Sequence, residues 1–107
     1  MRRGTLVWVN LEPATPPEFG KTRPAVIVSN SIQNQILDTL VVIPLSSRPG
    51  AIWPLRLPLN MPDGKASYAV LPGIRQVHKA RLLEVIGTAP RAFVESLNEA
   101  LRAYLGD

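Results

Sequence analysis

The sequence predicts a mainly β protein, a small barrel or sandwich, with one helix at the C-terminus. Eleven prolines and seven glycines among 107 residues divide the chain into short segments, and the β-branched runs between them are typical of strands. Apolar residues at helical spacing occur only after residue 88. The length fits a single domain of residues 1–107, and an apolar fraction of 46% supports one modest core.

Three strands are predicted in the first half of the chain. Thr5–Asn10 shows a partial alternation of apolar and polar residues. Pro24–Ser29 and Thr39–Leu45 contain continuous apolar runs, which are typical of central strands buried on both faces. Between these two strands, Asn30–Gln35 is predicted to form a single helical turn.

The later predicted strands are Leu55–Leu59, Ser67–Leu71 and Leu82–Gly87. Pro58 cannot donate to a hydrogen-bonded ladder, so the first of these strands is expected at a sheet edge. The pair Asp63-Gly64 has the chemistry of a tight turn between the first two.

The last predicted element is an amphipathic helix. Thr88 is a candidate cap, Pro90 fits a first helical turn, and Gly106 is expected to end the helix. The apolar residues between them recur at helical spacing: they are Phe93, Val94, Leu97, Leu101, Tyr104 and Leu105. This apolar face is expected to pack against the β domain.

Composition narrows the function classes. A net charge of +4 favours contact with a polyanion, of which nucleic acid is the commonest. The absence of cysteine excludes a disulfide scaffold and a thiolate zinc site, and the single histidine, His78, argues against a histidine-rich metal site. No cofactor or metal is expected. Met1-Arg2-Arg3-Gly4 leads into only a short apolar stretch, so a cytoplasmic location without a membrane anchor is expected.

The segment from Glu18 to Pro24 is a charged loop that runs directly into an apolar strand. The planar guanidinium of Arg23 suits a phosphate, and the carboxylate of Glu18 is a candidate for proton transfer. A metal-free ribonuclease needs these two roles, because one group must take the 2′-hydroxyl proton and another must stabilise the charged phosphorane. A solvated loop arginine, or a surface ion pair between Arg23 and Glu18, is the alternative.

Other polar and basic residues extend the candidate site. Ser46 and Ser47 follow the third strand, where their hydroxyls can bind a phosphate or 2′-oxygen, although turn chemistry before Pro49 is an alternative. Trp53 can stack on a base beside basic residues, as in sites for single-stranded nucleic acid; a partly buried position or a dimer contact fits it equally well. The predicted RNA-binding residues are Lys21, Thr22, Ser47, Arg48, Trp53, Arg75, Lys79 and Arg81.

Four segments, in order, resemble the MazF/PemK family of endoribonuclease toxins. Gly4–Pro13 resembles the opening strand of that family, and Glu18–Asn30 is similar to its block Glu-x-x-Gly-x-Arg-Pro-Ala-Val-Val-Val-Ser-Asn. Val41–Ser47 resembles its strand ending in two hydroxyl residues, and Ile74–Leu82 its later segment with arginine and lysine. The second block, Glu18–Asn30, is specific to the family, and the other three segments support the resemblance mainly because they occur in the same order.

The resemblance implies an SH3-like β-barrel that works as a homodimer. It also implies sequence-selective, ribosome-independent and metal-independent cleavage of single-stranded mRNA, and a cognate antitoxin that neutralises the toxin. By the same resemblance the catalytic arginine is Arg23, the acidic loop residue Glu18 and the catalytic hydroxyl Ser46, with Ser47 as the adjacent candidate. Pro72-Gly73 stands where the family commonly has an acidic residue followed by glutamine.

Two other functions stay open at this point. A non-enzymatic toxin of the same fold, such as a CcdB-like gyrase poison, would need an exposed Trp-Gly-Ile-like tail, whereas this chain ends Tyr104-Leu105-Gly106-Asp107. A catalytically inactive SH3-like binding module is suggested by Pro72-Gly73. Cleavage of RNA distinguishes the enzyme from both alternatives.

Overall fold

Residues 1–13 and 20–106 are described by a computed structural model, and they form the predicted strands and helices in order, with one additional short strand. The elements are β1 (Thr5–Asn10), β2 (Thr22–Ile27), α1 (Ser31–Ile36), β3 (Thr39–Ser46), β4 (Arg56–Asn60), β5 (Ala66–Val70), β6 (Arg75–His78), β7 (Leu82–Thr88) and α2 (Arg91–Leu105). Short 3-10 turns at Leu71–Gly73 and Lys79–Arg81 lie on either side of β6.

The strands form an antiparallel sheet in the order β4-β5-β3-β2-β1-β7, and β6 also pairs with β3. On one edge of β3, residues Thr39 to Val42 pair with β6, whereas Leu45 and Ser46 pair with β5. Pro44 is buried between these two ladders, where the partner of β3 changes. A residue without an N–H is tolerated there because neither ladder needs its donor.

Within the described part of the chain, no ladder joins β4 to β7, and the barrel is completed by side-chain packing instead. Pro62, in the turn after β4, places its Cγ 2.9 Å from where a Cβ on Gly87 of β7 would stand. A glycine at this position therefore permits the close approach of the turn to β7. The edge position of β4 agrees with the prediction made from Pro58.

Both faces of the central strands are buried, as the apolar runs predicted. Leu6, Val26 and Ile43 point into the barrel and pack against α2 through Phe93 and Leu97. The neighbouring residues along the same strands form a second cluster on the opposite face: it comprises Val7, Val9, Leu11, Ala25, Ile27, Leu40, Val42 and Val77. Burial on both faces fixes the register of β1, β2 and β3.

The predicted elements are confirmed with small shifts at their ends, but two local predictions were wrong. Thr88 does not cap α2; it pairs with Thr5 as the last residue of β7, and the helix begins after Pro90 without a side-chain cap. Strand β6 was missed because it has four residues, of which only Val77 is buried. In the described residues, neither helix combines the length and apolar character needed to span a membrane.

Candidate active site

Arg23 and Ser46 lie on neighbouring strands near the open end of the barrel. The ladder between β2 and β3 ends at the pair Ala25–Pro44; Arg23 lies two residues before this pair on β2, and Ser46 lies two residues after it on β3. Ser46 in turn pairs with Tyr68 of β5. Paired residues of antiparallel strands point to the same face, with strands about 4.8 Å apart. The structure therefore places Tyr68, which the sequence reasoning missed, beside Ser46. Arg23 lines a cavity together with Ser47, whereas Ser46 is not among the residues that line it.

The Arg23 side chain is half-buried and held by the loop that precedes β2. Its Nε donates a 3.1 Å hydrogen bond to the carbonyl of Gly20. Between these residues, Lys21 has a φ of 62°, a left-handed conformation that is unusual for a residue with a side chain. A guanidinium fixed through Nε keeps its planar fork in one orientation, which is what recognition of a phosphate requires.

The hydroxyl of Ser46 is held by the backbone that follows it. Its Oγ accepts a 3.1 Å hydrogen bond from the N–H of Arg48. No acceptor for its own proton is found among residues 1–13 and 20–106, so this proton can be donated to a phosphate oxygen. Ser47, the next residue, is exposed.

A cavity of about 550 Å³ opens next to Arg23. One wall is apolar and includes the indole of Trp8, which is 39% exposed, while hydroxyls and charged groups line the remainder. The lining residues are Trp8, Arg23, Pro24, Leu45, Ser47, Met61, Pro62, Asp63, Lys65, Ala66, Ser67 and Ile86. Thus an aromatic ring and several hydrogen-bonding groups surround the place where Arg23 would meet a ligand.

The loop between β3 and β4 is held against this site by Arg56. Its Nε donates to the carbonyl of Gly50 at 2.8 Å, and its Nη2 donates to the carbonyl of Arg48 at 2.6 Å. The guanidinium carbon lies 5.6 Å from the ring centroid of Tyr68, within cation–π range. Trp53, in the same loop, is 55% exposed and so does not belong to the core of this chain.

The other predicted RNA-binding residues occupy different places. Lys21 and Thr22 are exposed immediately before Arg23. Arg75 donates from Nη1 to the carbonyl of Leu11 at 3.1 Å, and so holds the end of β1. Lys79 is not brought together with Arg23, because its N–H is bonded to Asp38, at the end of β3 away from Ser46.

Arg81 also holds the end of β1. Its Nη1 donates to the carbonyl of Asn10 at 3.3 Å and to the carbonyl of Glu12. The predicted residue Glu18 lies outside the described residues. Sequence reasoning missed the scaffolding use of Arg56, Arg75 and Arg81, since the carbonyls that they bind are distant in sequence or irregular in conformation.

Comparison with known proteins identifies the family of this chain. The family described as PemK-like, MazF-like toxin of type II toxin–antitoxin system matches residues 2–105 of the chain. The chain belongs to this toxin family. Endoribonuclease MazF9 of Mycobacterium tuberculosis (strain ATCC 25618 / H37Rv) is 34% identical to this MazF-like chain, over 98% of this chain and 96% of its own length.

Solved structures of MazF-like toxins share the fold. A crystal structure of MazF from Deinococcus radiodurans superposes with a TM-score of 0.86 at 25% identity, covering 100% of this chain and 97% of that one. An endoribonuclease from a mycobacterial species, solved with its cognate antitoxin, gives a TM-score of 0.83 at 24% identity, over 99% and 95% of the two chains. The mainly β, barrel-like fold with a C-terminal helix is thereby confirmed.

Proposed function

We propose that this chain is an endoribonuclease toxin that cuts single-stranded RNA at preferred sequences, without the ribosome and without a metal ion. The observation that carries the proposal is the position of Arg23 at a cavity whose lining also includes the hydroxyls of Ser47 and Ser67. A guanidinium and a hydroxyl in this arrangement can bind a phosphodiester from two sides. Membership of a family that includes endoribonuclease MazF9 supports the same class of activity.

The proposed reaction is an internal transesterification of RNA. The 2′-hydroxyl loses its proton and its oxygen attacks the adjacent phosphorus, the bond from phosphorus to the 5′-oxygen breaks, and the 5′-oxygen takes up a proton. The products are a cyclic phosphate and a 5′-hydroxyl. Arg23 stabilises the negative charge of the phosphorane, because an arginine remains a cation and donates from a fixed fork. Ser46 orients the phosphate, and Glu18 assists the transfer of the 2′-hydroxyl proton.

The RNA strand is proposed to follow the loops on either side of Arg23. Lys21, Thr22 and Ser47 lie next to it, and Arg48 and Trp53 extend the surface along the loop after β3. Basic groups that follow the phosphates, with an aromatic ring on which a base stacks, are common in sites for single strands. Arg75, Lys79 and Arg81 lie outside this path, and their proposed contribution to RNA binding is the long-range attraction of the strand by their charge.

A cognate antitoxin and a second copy of the chain are the proposed protein partners. The structural relative solved with its cognate antitoxin supports an antitoxin for this chain. An acidic segment of the antitoxin would complement the net charge of +4 and exclude RNA by direct competition. The toxin is proposed to act as a homodimer in the cytoplasm, where mRNA is present.

The proposal is tested by incubating the purified protein with a long single-stranded RNA in EDTA and mapping the 5′ ends of the fragments. Cuts at preferred sequences are expected, and Arg23→Ala is expected to slow them by about 100- to 1,000-fold. Arg91→Ala is the matched control, since it removes the same charge from an exposed site on α2. An unchanged rate for Arg23→Ala would exclude Arg23 from the reaction.

The same preparation separates the two alternatives. Binding of RNA without any cleavage by the parental protein would support an inactive binding module. DNA breaks that depend on gyrase, with intact RNA, would support a gyrase poison. Either result would contradict the proposed activity.

A further inference from the structure

Glu12, at the base of the loop between β1 and β2, is held by three hydrogen bonds. Its N–H donates to Oδ1 of Asn10 at 3.0 Å, and its carbonyl accepts from Nη1 of Arg81. Its side-chain Oε1 accepts from the N–H of Lys21 at 2.5 Å. An exposed carboxylate is therefore bonded to a backbone amide nine residues ahead in the chain, on the opposite side of the loop.

The amide that Glu12 binds is the one that also holds the arginine of the site. The N–H of Lys21 and the carbonyl of Gly20 belong to one peptide unit, and this carbonyl accepts the bond from Nε of Arg23. Because a peptide unit is planar, its N–H and C=O must turn together. The hydrogen bonds at its two ends also polarise each other, which strengthens both.

The conformation of Lys21 shows why this peptide needs to be held. A φ of 62° is disfavoured for a residue with a Cβ. The N–H of Leu11, the residue after β1, donates to the carbonyl of Lys21 at 2.9 Å and so fixes the far side of this residue. Without the carboxylate, rotation of the Gly20–Lys21 peptide would move its carbonyl away from Arg23.

We propose that Glu12 is a positioning residue, which fixes the guanidinium of Arg23 through the Gly20–Lys21 peptide. The inference rests on the proposed endoribonuclease function, because Arg23 is its phosphate-binding residue. Glu12 is not assigned to proton transfer, since its Oε1 is engaged by the Lys21 amide. The carboxylate acts as a hydrogen-bond acceptor, and an uncharged acceptor of the same shape can replace it in part.

Two substitutions of equal charge test this role. Glu12→Ala removes the acceptor and is expected to lower kcat by about 10- to 100-fold, since small misplacements of a reacting group have effects of this size. Glu12→Gln keeps an oxygen at the same place and is expected to stay within about fivefold of the parental kcat, because an uncharged acceptor is weaker but still bonds. The KM for RNA should be the same in both variants, because both lose one negative charge.

A residue that transfers protons would behave differently. Glutamine cannot accept a proton at neutral pH, so Gln and Ala would be equally slow, and the acidic limb of the pH–rate profile would be lost. Equal loss in the two variants would therefore overturn the positioning role, and so would a parental kcat for Glu12→Ala.

Exchange of the Lys21 amide proton, followed by NMR, gives a readout that does not need RNA cleavage. Glu12→Ala is expected to accelerate this exchange by about tenfold, while Glu12→Gln stays near the parental rate. If the protein cleaves no RNA but shows this pattern of exchange, the proposed function is refuted, whereas the hydrogen-bond relay from Glu12 through the Gly20–Lys21 peptide to Arg23 is supported. Equal exchange in all three proteins would refute the relay, whatever the activity.

Discussion

Two loops flank Arg23, and in each an arginine from elsewhere in the chain binds two backbone carbonyls. Arg81 does so at the base of the loop between β1 and β2, and Arg56 does so in the loop between β3 and β4. The first loop base has a second support, the carboxylate of Glu12, whereas the second depends on Arg56 and its contact with Tyr68. One of these regions thus orients a guanidinium, and the other presents the exposed ring of Trp53.

The difference shows that the number of arginines near Arg23 does not indicate how many of them contact RNA. A guanidinium has five N–H donors. Arg56, Arg75 and Arg81 each use one or two of these donors in hydrogen bonds to backbone carbonyls. Their charge still attracts a polyanion at long range. Their short-range role is to fix irregular backbone that has no regular ladder.

The largest effect is expected for Arg56→Ala. It removes two hydrogen bonds and the contact with Tyr68, so the protein should lose about 2–3 kcal/mol of stability and melt about 10 °C lower. Arg56→Lys should recover only part of this, because one ammonium cannot reproduce the fork. Thermal unfolding followed by circular dichroism measures the change, with Arg102→Ala on the exposed side of α2 as control. A melting temperature equal to that of the control would show that the loop does not depend on Arg56.

Trp53→Ala tests a residue of the same loop that is expected to bind RNA but not to stabilise the fold. Because the indole is 55% exposed, stability should change by less than about 0.5 kcal/mol. Affinity for a single-stranded RNA should fall by about 1–2 kcal/mol if a base stacks on the ring. Trp53→Phe should keep most of the affinity, as measured by fluorescence anisotropy with labelled RNA. A loss of stability without a loss of affinity would assign Trp53 to the scaffold.

The comparison also shows what the sequence can and cannot predict. The alternation in β1 and the apolar runs of β2 and β3 set strand positions, because burial on one or both faces leaves a periodic trace. The hydrogen bond from Arg81 to Glu12 leaves no such trace, since its partners are 69 residues apart and the acceptor is a carbonyl, which every residue possesses. Arg23 and Ser46 were predicted as site residues from the sequence, whereas Tyr68 lies beside Ser46 only through the register of β5.

The salt dependence of RNA binding distinguishes Arg48, which is expected to contact a phosphate, from Arg81, which binds backbone carbonyls. Arg48 is exposed, and Arg48→Ala should reduce the slope of log affinity against log salt by about 0.7, the value for one phosphate of a single strand. Arg81→Ala should leave the slope unchanged and lower stability by about 1 kcal/mol, because two carbonyls lose their donor. Titrations of the same RNA at several salt concentrations measure both slopes. Equal slopes for the two variants would make Arg81 a phosphate contact as well.

The smallest expected effect concerns the backbone at Lys21. At an ordinary position, glycine is less stable than alanine by about 0.5–1 kcal/mol, because it gains more freedom on unfolding. The φ of 62° reverses this order, since a Cβ in the left-handed region costs about 1–2 kcal/mol.

Lys21→Gly should therefore be more stable than Lys21→Ala by about 0.5–1 kcal/mol. The pair is matched, since both substitutions remove the same charge, and their RNA affinities should fall equally. Urea unfolding of the two variants measures the difference. If alanine were the more stable of the two, the Gly20–Lys21 peptide would not be held in the orientation that links Glu12 to Arg23. The carboxylate of Glu12 would then give the loop before β2 no support beyond what an arginine gives the loop after β3.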